Sequence, residues 1–405
     1  MDIVIDIFNY ILAAILVGVS LTWIVLIKSM LRTFQDSPFL DKFEKKEHQK
    51  PKVSIILPAR NEEKFIDKCL ISLVNQDYTN YEIIAINDSS EDSTGDIIKK
   101  YAKKYPKVIS VDARPKPEGW MGKNWACAEG YKKASGDLLL FTDADTTHTS
   151  SVITLAVSHL LSLELDALTV IPRMLCLDRI TKITLPMIST FLHTRFSALR
   201  VNDTSKNTGY FFGSFYIITK PTYDSVGTHE GVKGELVEDG ALGKRVKESG
   251  FKMRMVRGEH LVDAVWARDA STLWNALKRL MVPLYLQNAR IAVASFFGVL
   301  FLLFMTFPIL GYSVIFFNSA NSFLILFVIS CVASMLVYAG GILDATKGLD
   351  LKIKYALFAP VGGFIVVCGF FAGLIHAKSK TACLLYTSDA ADEGLGVDLG
   401  GRRII

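Results

Sequence analysis

Leu138-Leu139-Leu140-Phe141-Thr142-Asp143-Ala144-Asp145 decides how this chain is read. Four apolar residues and a Thr, entered from Ser135-Gly136-Asp137, predict a short strand buried on both faces. Two carboxylates follow at i and i+2, in a loop before the next helix. Acids crowded at the end of a buried strand repel each other and lose solvation. A divalent cation offsets that cost. Hard oxygen ligands suit Mg2+ or Mn2+, and such a cation commonly carries a phosphate.

Outward from that strand the pattern alternates. Apolar runs at Val53–Leu57 (ended by Pro58), Glu82–Ile86, Val108–Val111 and Ala167–Ile171 predict further strands. Helical spacing covers Lys64–Val74, Thr94–Tyr105, Lys123–Ala134 and Ser151–Leu163. Such alternation predicts an α/β fold with a mostly parallel sheet covered on both faces. Ligands of such sheets sit beyond the carboxyl ends of the strands. Three polar loops should therefore meet on one edge: Pro58-Ala59-Arg60-Asn61-Glu62-Glu63, Asn87 to Thr94, and Asp143-Ala144-Asp145. A nucleoside diphosphate with its metal fits across them. In the second loop Ser93 or Thr94 is expected to cap a helix, while Asp88 is placed to accept from a base or ribose hydroxyl.

The chain has 405 residues, half of them hydrophobic, with a formal net charge of +5. Its mean hydropathy of +0.32 is high for a soluble protein. Lys and Arg cluster beside apolar segments, which favours a membrane surface over nucleic acid, and no basic run interleaved with aromatics suggests an RNA or DNA site. The six Cys show no metal spacing and no Cys-x-x-Cys, so reduced thiols are expected.

Ile7 to Ile27 carries no charge and is long enough to cross about 30 Å of hydrocarbon. Asp2 and Asp6 precede it and Lys28 and Arg32 come after, the reverse of a cleaved signal, so it reads as a retained anchor. Positive charge after the span places Lys28 and the domain beyond it in the cytoplasm. Further spans are expected near Ile291–Tyr312, Ser322–Leu343 and Tyr355–His376. The loop with Lys347, Lys352 and Lys354 falls inside, and Lys378 and Lys380 fall outside, a mild disagreement. No span has an ionisable residue at its middle, which leaves a transporter without support. The expected division is an anchor (1–30), a charged linker (31–52), a catalytic domain (53–265), an interfacial helix (266–290), three spans (291–380) and a tail (381–405). The tail changes character abruptly after Cys383 and resembles translated adaptor sequence. Met174 to Leu199 is unusually apolar and reads as a core helix or a segment pressed onto the bilayer.

Val53 to Glu63, Ile86-Asn87-Asp88-Ser89-Ser90, Phe141 to Asp145 and Glu238-Asp239 resemble, in order, the motifs of family 2 glycosyltransferases. The resemblance covers roughly Val53 to Phe251 and implies a GT-A nucleotide-sugar-binding fold. Gly119-Trp120-Met121-Gly122-Lys123-Asn124, with the anchor and later spans, is similar to the branch near carotenoid- and hopanoid-associated glycosyltransferases. The family pattern implies that Pro58, Ala59, Arg60 and Glu62 line the base and ribose pocket and that Asp88 binds the base. It implies that Asp143 reaches the ribose and the metal shell, that Asp145 ligates the metal, and that Asp239 is the catalytic base with Glu238 beside the substrate. Where many relatives have Gly-Gly-His or Gly-Gly-Phe, this chain has Gly227-Thr228-His229. Processive relatives carry Gln-x-x-Arg-Trp near Leu273 to Arg279, and this chain does not, which favours transfer of one sugar.

Apart from the resemblance, Lys123 at a helix start is either a phosphate contact or an ordinary surface lysine. The expected activity is an inverting, metal-dependent transfer from a UDP- or GDP-linked sugar to a membrane lipid by a multi-pass membrane protein. Two alternatives stand beside it: a polyprenyl-phosphate sugar synthase, whose acceptor needs no base, and a nucleotide-sugar-binding scaffold without turnover.

Overall fold

A computed structural model describes residues 2–42, 50–317 and 320–378. Part of the expected linker (43–49) and the tail (381–405) lie outside the described residues. The chain opens with the long apolar helix α1 (Asp2–Asp36), on which Lys28 and Arg32 ride rather than follow. Then come β1 (Val53–Ala59), α2 (Ile66–Val74), β2 (Tyr81–Asn87), α3 (Thr94–Lys104), β3 (Val108–Asp112), α4 (Gly122–Tyr131) and β4 (Leu138–Phe141). The Asp143–Asp145 turn leads into β5 (Thr146–His148), α5 (Val152–Ser162), β6 (Ala167–Ile171), β7 (Arg173–Cys176), α6 (Arg179–Arg195) and α7 (Ala198–Asn202). The α/β half closes with β8 (Tyr216–Thr219), α8 (Lys220–Ser225), α9 (Glu238–Glu248), β9 (Met253–Arg257) and β10 (Val262–Ala267).

Seven strands form one sheet in the order β3-β2-β1-β4-β8-β6-β9. All run one way except β8, which pairs antiparallel with both β4 and β6. The alternating pattern gave no sign of this inserted strand, so β6 lies one place further from β4 than a purely parallel sheet would put it. A smaller sheet, β5-β10-β7, stands beyond the end of β4, so the two acids lie in a turn between strands rather than in a loop before a helix.

β1 continues through Pro58 to Ala59, two residues past its expected end. The amide of Val53 and the carbonyl of Ala59 bond on the β2 side, while the carbonyl of Ile56 bonds on the β4 side, to Thr142. Pro58 therefore faces β4, whose register with β1 stops at the Ile56–Phe141 pair. Its missing N–H falls where the ladder has already ended, so the ring costs nothing there.

The sheet has two apolar faces. One packs Ile55, Leu57, Ile83 and Leu140 against Leu70, Leu73, Ile98 and Ile153 of α2, α3 and α5. The other packs Ile56, Ile84, Leu139 and Phe141 against Ala126 of α4 and Leu242 of α9. This second cluster runs on without a break into Leu185 and Met187 of α6 and into Trp23, Leu303, Val337 and Val366 of the long apolar helices.

Those helices complete the chain. α10 (Ala270–Gln287) begins where Asp269 accepts from the Thr272 amide at 2.9 Å, so Trp266 belongs to β10 and not to the helix expected over 266–290. Next come α11 (Ala289–Leu300), a π-turn over Phe301–Met305, α12 (Thr306–Ile315), α13 (Asn321–Leu343), a second π-turn over Asp344–Gly348, α14 (Ile353–Ala356) and α15 (Ala359–Lys378). The first π-turn lies just ahead of Pro308, whose missing N–H interrupts the helix ladder there. α15 starts later than expected, with Pro360 in its first turn, where a missing N–H is harmless. Among the described residues, four helices are long and apolar enough to cross a membrane: Ile3–Asp36, Ala289–Ile315, Asn321–Gly348 and Ala359–Ala377. The segment Met174 to Leu199 contributes β7 and α6, and α6 packs on α15 and α1 rather than on the centre of the sheet.

Candidate active site

The first two site loops are built against each other. Asn61 and Ser89 take left-handed conformations (φ 52 and 54°), which turn each loop sharply off its strand. The amides of Asn61, Glu62 and Glu63 then donate to Ser90 Oγ, Thr94 Oγ1 and Asp92 Oδ2 at 3.1, 2.7 and 3.0 Å. The Ser- and Thr-rich loop thus spends its side chains on its neighbour. Ser93 stands at the N-cap of α3 without a capping side-chain bond, and Asp92 Oδ1 accepts from the Thr94 amide at 2.9 Å instead. Ser93 thus holds the expected cap position, while Asp92 makes the capping bond.

The acidic turn after β4 is propped from below. Thr142 Oγ1 meets Thr146 Oγ1 at 2.9 Å, donates to the Ser214 carbonyl at 2.8 Å, and lies 3.2 Å from His148 Nε2. Burial pushes His148 down to about 4, so it stays neutral at ordinary pH. β5 pairs with β10 and holds the far end of the turn.

Pro58, Ala59, Arg60, Glu62, Asp88, Lys123, Asp143, Asp145, Glu238 and Asp239 all line one cavity of about 1040 Å3. Asp143 and Asp145 enter from the end of β4, and Glu238 and Asp239 from the first turn of α9, where acids suit the helix dipole. Asp88 is buried directly after β2. Lys123, in the first turn of α4, lies 2.6 Å from Asp143 Oδ1 and 2.7 Å from Glu238 Oε1. Burial alone would lower the Lys123 ammonium. The carboxylates of Asp143, Glu238 and Asp239 outweigh it and hold the group charged, well above its usual range. Lys123 therefore stands partly exposed in the cavity wall, paired with acids of two elements.

Two carboxyls stand apart. Burial, then Asp143 and Glu62, push Asp145 up to about 8. Burial, then Glu238, push Asp239 up to about 7, against the pull of Lys123. Asp239 Oδ1 accepts from the Gly240 amide at 2.7 Å.

A divalent cation fits this donor set. Asp145 lies deep among acids and has no direct ion pair among the described residues, and the more distant Arg268 and Lys123 only partly offset its burial. Among the described residues no three His, Cys, Asp or Glu side chains gather as a closed cage. The chain can offer Asp143 and Asp145, leaving the other positions to phosphate oxygens and water, which is how Mg2+ is usually held in phosphate sites.

Several lining residues escaped the sequence reading. Gly213 is one: a Cβ there would meet Asp239 Oδ2, Asp143 Oδ2 and Lys123 Nζ at 2.8, 2.9 and 3.0 Å. Arg268, at the end of β10, donates to Glu62 and lies over the Phe65 ring. Burial raises the Glu62 carboxyl, and Arg268 opposes the shift. Met174, Leu177, Leu192, Phe212 and Trp266 form an apolar side of the cavity next to α6 and α10. His229, in the loop that departs from the family pattern, is not in the cavity wall. It is fully buried with Tyr223 Oη 2.6 Å from its Nδ1.

A further ionisable cluster lies outside the cavity. Asp344, fully buried at the end of α13, sits 2.5 Å from His193 Nδ1 and accepts from Ser189, both on α6.

Residues 54–222 match the family model described as Glycosyl transferase family 2. The probable glycosyltransferase YdaM of Bacillus subtilis (strain 168) is 34% identical over 142 residues, 32% of this chain and 33% of that protein. The 4,4'-diaponeurosporenoate glycosyltransferase of Staphylococcus aureus (strain bovine RF122 / ET3-1) is 29% identical over 215 residues, 51% of this chain and 54% of that protein. The chain thus spans between a third and about half of these curated relatives. Among solved structures, the mannosyltransferase PcManGT from Pyrobaculum calidifontis, in complex with GDP-Man and Mn2+, superposes with a TM-score of 0.53 at 14% identity. The match covers 90% of this chain and 98% of that one, and shows a shared fold.

Proposed function

We propose that this chain, which carries a family 2 glycosyltransferase domain of GT-A fold, moves one sugar from a UDP- or GDP-linked donor to a hydroxyl of a membrane lipid, with inversion. One observation carries the reading. Asp143 and Asp145, at the end of β4, and Asp239, at the start of α9, line the same cavity.

On this reading Pro58, Ala59, Arg60 and Glu62 hold the base and ribose, with Asp88 accepting from the base. Asp143 and Asp145 would hold Mg2+ or Mn2+, which when bound neutralises the departing diphosphate. Lys123 adds a positive charge beside the same phosphates, and fixed charges of this kind are usually the largest catalytic term. Asp239 takes the proton from the acceptor hydroxyl as its oxygen bonds to the anomeric carbon. The bond from that carbon to the diphosphate oxygen breaks on the opposite face, and the nucleoside diphosphate leaves. A carboxyl near 7 is well matched to a base working at neutral pH.

The lipid acceptor is supported by the apolar wall of Met174, Leu177, Leu192, Phe212 and Trp266, and by α6 and α10, which pack on the apolar helices. The similarity to a diaponeurosporenoate glycosyltransferase supports it from outside. A cytoplasmic catalytic domain is supported by the acids at the start of α1 and by Lys28 and Arg32 near its end. Protease added to sealed cells from outside should then leave residues 53–251 intact, and cleavage there would reverse the topology.

Arg279, which also lines the cavity, favours one second reading, a phosphate-bearing polyprenyl acceptor. Incubating membranes with a panel of labelled nucleotide sugars and extracting the lipids tests both. Label in a neutral glycolipid supports the hydroxyl acceptor, label in an acid-labile phosphodiester supports the second, and free sugar alone leaves neither.

A further inference from the structure

Lys123 stands where the acids of the two flanks come nearest. Its Nζ bridges Asp143 Oδ1 and Glu238 Oε1 at 2.6 and 2.7 Å. The point above Gly213 lies within 3.0 Å of Asp143, Asp239 and Lys123 together. The nearby Arg268 is committed to Glu62. So the ammonium of Lys123 is the charge that keeps Asp143, Glu238 and Asp239 from repelling one another.

We propose that Lys123 is a built-in counter-cation that withholds Asp143 from a divalent metal until a nucleoside diphosphate draws the ammonium away. This rests on reading Asp143 and Asp145 as the metal shell. An ionised oxygen bonded to an ammonium at 2.6 Å is in a strong charge-assisted contact. A divalent ion approaching that carboxylate must displace the lysine or accept a like charge beside it. A diphosphate changes the balance, because its oxygens offer the ammonium new acceptors within the same cavity. Lys123 then moves from carboxylate to phosphate, and Asp143 is released. The empty cleft stays free of tightly held metal, and metal and donor are taken up together.

Any diphosphate tightens metal binding by chelation, so the discriminating measurement is metal alone. Mn2+ binding to the full chain in detergent is read from the free-ion electron paramagnetic resonance signal, with and without UDP or GDP. Lys123→Met and Lys123→Gln should bind Mn2+ alone at least about tenfold tighter than the wild type, and Asp143→Asn added to either should remove the gain. The Gln variant keeps an N–H donor for both carboxylates, so it tests the charge even where Met disturbs the fold. In Lys123→Ala, added ethylammonium should weaken Mn2+ binding again, while leaving the wild type unchanged.

Folded Lys123 variants that bind Mn2+ alone no tighter than the wild type overturn this proposal and spare the metal reading, provided nucleotide still brings Mn2+ to the wild type. Absence of Mn2+ binding to the wild type with both UDP and GDP overturns the metal reading, and this proposal with it.

Discussion

The two flanks of the cleft are built in opposite ways. Pro58, Glu62, Asp88, Asp143 and Asp145 hang from the ends of three neighbouring parallel strands, and their loops satisfy one another's amides. Gly213, Glu238, Asp239 and Arg268 come from the approach to an antiparallel strand, a helix start and the end of a strand in another sheet. The first flank is fixed by topology and local hydrogen bonds. The second exists only because distant pieces pack together. On the proposed reading, the second flank and its acceptor contacts can change without giving up the sheet that carries the donor loops.

The sharpest way to break this contrast is Asp145→Ala. Removing a hard oxygen ligand leaves diphosphate charge uncompensated, so metal-dependent binding of the nucleotide sugar should be lost outright, as read by calorimetry with and without Mn2+. Asp239→Asn should leave donor binding intact and lower transfer by about 10²–10⁴-fold, in kcat more than in donor KM. Near-full activity there would remove the hydroxyl-acceptor mechanism and promote the phosphate acceptor.

Gly213→Ala sharpens the comparison, since its new methyl would press on both flanks at once. Misplacement of reacting groups by about 1 Å can cost on the order of 10²-fold, and a fall of up to that size in kcat with an unchanged far-UV spectrum is expected. The mildest test is pH. Asp239 works ionised and is held up to about 7, so kcat/KM should fall about tenfold per unit as pH drops below that value and level off above it. Residual activity of Asp239→Asn should lack this limb.

The same contrast governs what the sequence could tell. β4 and β6 were legible to the residue because the first is a pure apolar run and the second is broken only by Thr169, each entered from an Asp. The first-flank acids were legible because each comes directly after such a run. β8 was not, since Tyr210 to Thr219 is an aromatic stretch whose antiparallel insertion has no local signature. Asp269 before Ala-Ser-Thr was an available N-cap signal, and it would have moved Trp266 out of the helix. Gly213 and Arg268 carried no signal, because their roles lie in contacts with residues far away in the chain. Asp344 reads in sequence as a mere charge at a span's end, since its partners on α6 lie 151 and 155 residues away.

The unbroken apolar cluster from Ile84 and Phe141 to Trp23 and Val337 has a further consequence. It acts as a mounting bracket rather than a leash, so on the proposed membrane placement the cleft keeps a set altitude over the lipid surface. On the proposed reading, the enzyme then measures its acceptor with a ruler. A hydroxyl is reachable when it stands off the bilayer by the right height, whatever tail lies beneath it.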